Sequence, residues 1–158
     1  MAVDQAQLVN LVLAVLDETF EHHHGIFLDK GTSLFATLGG IDHGRASVPV
    51  GGGCASLAAQ VAHVTLYLEV LEREIMGGEA GKVDWGEIWR TVGRVSAEEW
   101  DALRANLERT YRRVVGELRA AEPWEAEPHL EAALAITVHT AYHLGEIRQA
   151  LCFIDQAR

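Results

Sequence analysis

Between Leu130 and Ile154 the positions Ala132, Ile136, His139, His143, Ile147, Ala150 and Ile154 return every three or four residues with no proline among them. That period is one face of an α-helix. Five of the seven positions are apolar, so the face is buried, and two imidazoles are carried into the interior with it. Any fold open to this chain must close other elements over a helix of this kind and satisfy both rings.

Three further segments have the same period. Asp4-x-x-Gln7 has the form of a capping box, and Leu8, Leu11, Val12, Val15 and Thr19 follow as a stripe. Ser56 is placed to cap a second helix. Its stripe is Leu57, Val61, Val64, Leu68, Leu71 and Ile75, and Ala59, His63, Leu66 and Val70 make a second apolar row. A helix apolar on two sides lies between neighbours, and Gly77-Gly78 provides its stop. Ser96-Ala-Glu-Glu99 is a capping box ahead of Trp100, Leu103, Leu107, Tyr111, Val114 and Leu118. The spacing predicts helices near 4–22, 56–76, 97–120 and 130–154, with Pro123 and Pro128 bracketing the last break.

No segment alternates with period two, as a strand would. The chain therefore reads as all-α, a four-helix bundle in a single domain over 1–158. Two long connections cross between helices. The first holds eight of the 15 glycines and a short amphipathic piece from Ser33 to Leu38; the second, 79–95, holds Asp84-Trp85 and Trp89.

A formal charge of −10 argues against nucleic acid or an anionic membrane as partner, because phosphate binding needs a basic surface. The longest apolar run, Leu8 to Leu16, is far short of the ~20 residues that span a bilayer. The first residues, MAVDQAQ, lack the basic start of a signal peptide. Cys54 and Cys152 have no CxxC spacing and read as reduced thiols. The expected location is cytoplasmic.

The eight histidines carry the chemistry. His139 and His143, at i and i+4, differ by about 40° around the helix and about 6 Å along it, so both rings reach one point beside it. His63 interrupts the second apolar row of another helix. A buried imidazole left unpaired costs about 1–3 kcal/mol. Hydrogen bonds among the rings are one way to satisfy the three; a shared divalent cation satisfies all of them at once. Glu146 lies one turn beyond His143 and reads as a carboxylate that orients a ligand imidazole, as a base, or as a metal ligand, with an exposed charge as the plainer alternative. Tyr67 and Tyr142 are placed to line a pocket or simply to pack. Gly145, inside a helix, suggests close approach of a neighbour. His22, His23 and His24 follow a helix end, where protonated histidine is favoured; they read as solvated caps, with metal recruitment the lesser alternative. His43 and His129 fall in expected loops.

Competing sites fail on their own motifs. A di-iron carboxylate bundle needs Glu-x-x-His on two helices, and only Glu21-x-x-His24 is present. There is no GxSxG, and Gly51-Gly52-Gly53 is not followed by Lys-Ser/Thr.

The stretch from Gly53-Cys-Ala-Ser to Gln60-Val-Ala-His63 resembles the start of the second helix in the DinB/YfiT-like superfamily of metal-dependent enzymes. His139-Thr-Ala-Tyr-His143-Leu-Gly-Glu-Ile-Arg148 is similar to that family's fourth-helix motif. Asp84-Trp85, Trp89 and Ser96 to Trp100 resemble the approach to the third helix in one branch. The resemblance covers nearly the whole chain. It implies a bundle with long crossovers, a homodimer, and a divalent metal held by His63, His139 and His143. It also implies an activity for some members: thiol transfer or isomerisation with bacillithiol, mycothiol or glutathione.

Three neutral histidines leave an ion its full charge and at least one open position. Imidazole suits zinc, expected first, and nickel, second. The function expected is transfer of a low-molecular-weight thiol to an electrophilic small molecule. A metal-dependent hydrolase and a non-catalytic metal- or small-molecule-binding stress protein are the alternatives. No residue identifies the thiol, and the acidic surface has no evident patch for an anionic one.

Overall fold

The computed structural model describes residues 4–49, 54–79, 81–121, 124 and 127–156, the side chains of 127 and 128 excepted. Gly51 to Gly53 and Pro123 lie outside them. Among the described residues seven helices follow one another: α1 (Gln5–Phe20), α2 (Leu34–Gly39), α3 (His43–Ala46), α4 (Leu57–Ile75), α5 (Glu87–Thr91), α6 (Ala97–Ala120) and α7 (Glu127–Gln156). Among the described residues the only β pairing is an isolated bridge between Pro49 and Ser56. The all-α expectation holds. Four long helices match the four predicted spans, and the short α2, α3 and α5 lie within the connections.

The helix ends show how far local sequence dictates structure. Ser96 and Glu99 form the reciprocal capping box: Glu99 N–H donates to Ser96 Oγ at 3.2 Å and Ser96 N–H to Glu99 Oε2 at 2.7 Å. Ser56 Oγ accepts from Ala59 N–H at 3.2 Å. Asp4 does occupy the cap of α1, but its side chain accepts no capping bond, so the box expected with Gln7 is not formed. Gln7 is exposed. Helix α4 stops in a Schellman turn. Gly77 takes φ +76, Gly77 N–H bonds Glu74 O at 3.0 Å, and Gly78 N–H bonds Arg73 O at 2.8 Å. A residue with a Cβ would be strained at that φ. Pro128 does not bracket a break; it sits in the first turn of α7, where a missing N–H leaves no helical bond unmade.

Helix α4 packs against α6 and α7, and α1 packs against α7. The core predicted for the three later helices is the one found: Leu57, Val61, Val64, Leu68, Trp100, Leu107, Tyr111, Val114, Leu118, Ile136 and Ile147 are all buried. The α1 stripe is different. Val9, Val12, Leu16 and Phe20 point inward, while Leu8 and Leu11 are exposed. With apolar residues at almost every position from 8 to 16, two faces have helical period. Packing selects the one that puts Phe20 on Tyr111, the rings stacked at 4.3 Å. Phe35 closes edge-on against Tyr111 at 5.5 Å and so ties α2 into the same core. Trp100 Nε1–H donates to Ile41 O at 2.7 Å, which anchors the first crossover on α6.

Glu18 is fully buried. Its carboxylate accepts backbone N–H groups from His24, Ile26, Phe27 and Leu28 at 2.6–3.1 Å. Burial by itself would raise its pKa; the N–H donors of Ile26, Leu28, Phe27 and His24 overcome this and hold it at about 2. A charge sealed in the core thus organises the turn that leaves α1.

Candidate metal centre

His63 comes from the middle of α4, and His139 and His143 from the middle of α7. Because α4 packs on α7, the two apolar rows that carry the histidines face each other. His63 and His143 are buried and His139 half-buried. One ligand atom from each of the three lies within 4.8 Å of the others. His63 Nε2 and His139 Nε2 are 3.2 Å apart, and the ring centroids are 4.5–5.1 Å apart.

The donor set suits a cation. Two imidazole nitrogens bound tetrahedrally at 2.0–2.1 Å stand about 3.4 Å from each other, close to the 3.2 Å found. Burial lowers all three pKa values. His143 pushes His63 down further against Glu146, and His139, with His143 and His63 beside it, falls to about 4. At neutral pH the cluster is therefore three neutral rings with lone pairs to give.

His143 is oriented from behind. Its Nδ1 lies 2.7 Å from Gln60 Oε1 and 2.9 Å from Glu146 Oε2. A carboxylate only accepts, so Nδ1 carries the proton and Nε2 the lone pair. The Nε2 atoms of His63 and His139 are within hydrogen-bond distance of each other, whereas the Nδ1 atoms of both are buried without a hydrogen-bond partner.

An aromatic wall encloses the cluster. Tyr67 stacks on His139 at 3.7 Å and 11°. Trp89, on α5, lies 4.5 Å from His63, and Trp85 lies 6.1 Å from it. Both indoles remain partly exposed, so they form a rim as well as a wall.

Of the residues singled out from sequence, His63, His139 and His143 are brought together, and Glu146 and Tyr67 stand against them. Tyr142 lines no closed pocket: it is 62% exposed, its ring edge-on to His143 at 5.0 Å, and nearby Glu146 raises the pKa of its hydroxyl. Nothing approaches Gly145, where an added Cβ would meet no atom within 4 Å; the close approach expected there is absent. His43 and His129 are helical, in α3 and α7, instead of in loops. Cys54 and Cys152 are exposed free thiols. Sequence reasoning missed Gln60 as a site residue, although it lies one turn before His63 and so on the same face. It noted Trp85 and Trp89 but gave them no place at the site.

No protein-family model, curated protein or solved structure matches this chain. Among the described residues, no helix is long and apolar enough to cross a membrane. What the geometry defines is an all-helical protein with a three-histidine group able to hold a metal ion.

Proposed function

We propose that the chain is a metal-dependent enzyme with a DinB-like four-helix bundle, in which His63, His139 and His143 hold one divalent ion, zinc before nickel, and a low-molecular-weight thiol is transferred to an electrophilic small molecule. The observation that carries this reading is the convergence of three neutral imidazoles from two helices, with His143 fixed by Gln60 and Glu146. Three protein ligands leave a position for a substrate atom, the pattern of a catalytic rather than a structural ion.

A divalent ion supplies the charge that stabilises a thiolate at neutral pH. The thiol S–H gives up its proton to solvent water at the exposed rim, while Glu146 and Gln60 hold His143 from behind. The sulfur then forms its bond to the electrophilic carbon. The electron pair released from that carbon leaves with the displaced group or, in an addition, takes a proton from water. Trp85, Trp89 and Tyr67 exclude water and offer flat apolar faces to the electrophile. Such chemistry fits a reducing cytoplasm, where small thiols are kept as thiols. A homodimer is part of the same reading, supported by the exposed Leu134, Val138 and Tyr142 at i, i+4, i+8 on α7; light scattering would give about twice the chain's 17.3 kDa.

The test incubates metal-loaded protein with glutathione, bacillithiol, mycothiol and coenzyme A against a panel of electrophiles. A metal-dependent rate that disappears in His143→Ala supports transfer. Cleavage of simple esters or amides with no thiol transfer moves the reading to hydrolysis. No turnover in either assay moves it to a metal- or small-molecule-binding module.

A further inference from the structure

The end of α1 carries a second group of ligating side chains that the three-histidine centre does not use. Asp17 is the hub. His24 Nε2 lies 2.6 Å from Asp17 Oδ2, and His22 Nδ1 lies 3.2 Å from each Asp17 oxygen. Glu21 Oε2 is 3.8 Å from His22 Nδ1. The four groups border a groove of about 640 Å³ that α1 and α6 share with Arg112 and Arg119.

From these positions we infer a second divalent-cation site made by Asp17, Glu21 and His22, each of which offers a ligand atom within 4.8 Å of the others, with His24 on Asp17 at its edge. The first argument is spacing. Ligands at about 2.1 Å from an ion stand about 3.0–3.4 Å from each other; His22 Nδ1 stands 3.2 Å from Asp17 Oδ1 and 3.8 Å from Glu21 Oε2, and one ligand atom from each of the three lies within 4.8 Å of the others. The second is convergence: nitrogens from two rings, separated in sequence by His23, turn to the same carboxylate. The third is how the carboxylates are held. Tyr111 Oη–H is 3.4 Å from Asp17 Oδ1, and Arg112 grips Glu21 through both of its terminal nitrogens. Asp17 is therefore fixed on α6 while both imidazoles remain open to solvent, with side chains 67% and 40% exposed.

An imidazole beside two carboxylates, with a second imidazole at the edge, favours zinc, nickel, copper or iron over magnesium or calcium. Solvent access makes this the exchangeable site and the three-histidine centre the enclosed one. His23 is not part of the group, which provides an internal control.

The experiment is a zinc titration by calorimetry, with bound zinc counted after gel filtration and helicity followed by circular dichroism. Wild type is expected to bind about two ions per chain. His22→Ala/His24→Ala should lose the weaker one, and His23→Ala should keep both. The His63→Ala/His139→Ala/His143→Ala variant should retain one, which is lost when His22→Ala/His24→Ala is added. If that combined variant still binds the weaker ion, or if wild type and His22→Ala/His24→Ala bind the same number, the second site is refuted. A wild type binding one ion that only His22→Ala/His24→Ala removes would uphold this site and overturn the three-histidine reading. Cobalt(II) gives an independent readout, because ligand-field bands from imidazole and carboxylate at this site should disappear in His22→Ala with the helices intact.

Discussion

Gln60 Oε1 accepts a hydrogen bond from His143 Nδ1 at 2.7 Å, joining α4 to α7 directly behind the ring that completes the histidine cluster. With Glu146 on the same nitrogen, the contact decides which face of His143 has a lone pair. Gln60→Leu removes the acceptor without emptying the space. It should weaken zinc binding by about 10–100-fold with the helical signal unchanged, as measured by competition with a chromophoric chelator. Gln60→Glu, which keeps an acceptor at that point, should recover most of the affinity. Equal affinities for wild type and Gln60→Leu would mean that Gln60 does not orient His143 and that Glu146 suffices.

The three histidines were legible in the sequence because each interrupts an apolar period, and a polar residue in a buried row needs a reason. Gln60 was not, because a glutamine near a helix start breaks no pattern. Trp85 and Trp89 were seen but not placed, since 79–95 has no period from which a direction follows; only the packing of α5 shows that they meet His63. The inward face of α1 was misread for a related reason. Val12 and Thr19 of the expected stripe are buried, but Leu8 and Leu11, as helical in spacing as Val9 and Leu16, are exposed; the face taken is the one that brings Phe20 onto Phe35 and Tyr111.

Trp89 reports on the cluster. Its ring lies 4.5 Å from that of His63 and 6.3 Å from that of His143, whereas Trp100 and Trp124 are buried and hydrogen-bonded elsewhere. Binding of nickel or copper, both of which quench indole emission at short range, should lower the fluorescence. Trp89→Phe should remove much of that change while leaving the bound stoichiometry as in wild type. If quenching is undiminished in Trp89→Phe and in Trp85→Phe, the ion is bound away from the aromatic wall.

Gly145 sits inside α7 with open space where a Cβ would be. Glycine at such a place costs about 1 kcal/mol relative to alanine. Gly145→Ala should therefore raise the stability of the metal-free protein by about that amount, seen as a higher urea midpoint at unchanged slope. A loss of stability would show that α7 needs its freedom at this position.

The buried carboxylate of Glu18 gives the clearest pH signature. It accepts four backbone amides of 24–28, and its pKa in the folded chain is about 2 against an ordinary value of 4.5. A depressed carboxylate stabilises the fold fully above the unfolded value, and that contribution is lost as pH falls through 4.5 towards 2, because the unfolded chain takes up the proton first. Glu18→Gln keeps the shape but gives up the charge and one acceptor oxygen, leaving buried N–H groups short of a partner. At pH 7 the loss should be about 1–3 kcal/mol, with the turn after α1 loosened and amide exchange at Ile26, Phe27 and Leu28 accelerated. Between pH 4.5 and 3 the wild type should lose stability faster than Glu18→Gln, so the difference between their denaturation midpoints should narrow as the solution is acidified. Parallel pH profiles for the two proteins would mean that the amides of 24–28 do not hold this carboxylate in its charged form.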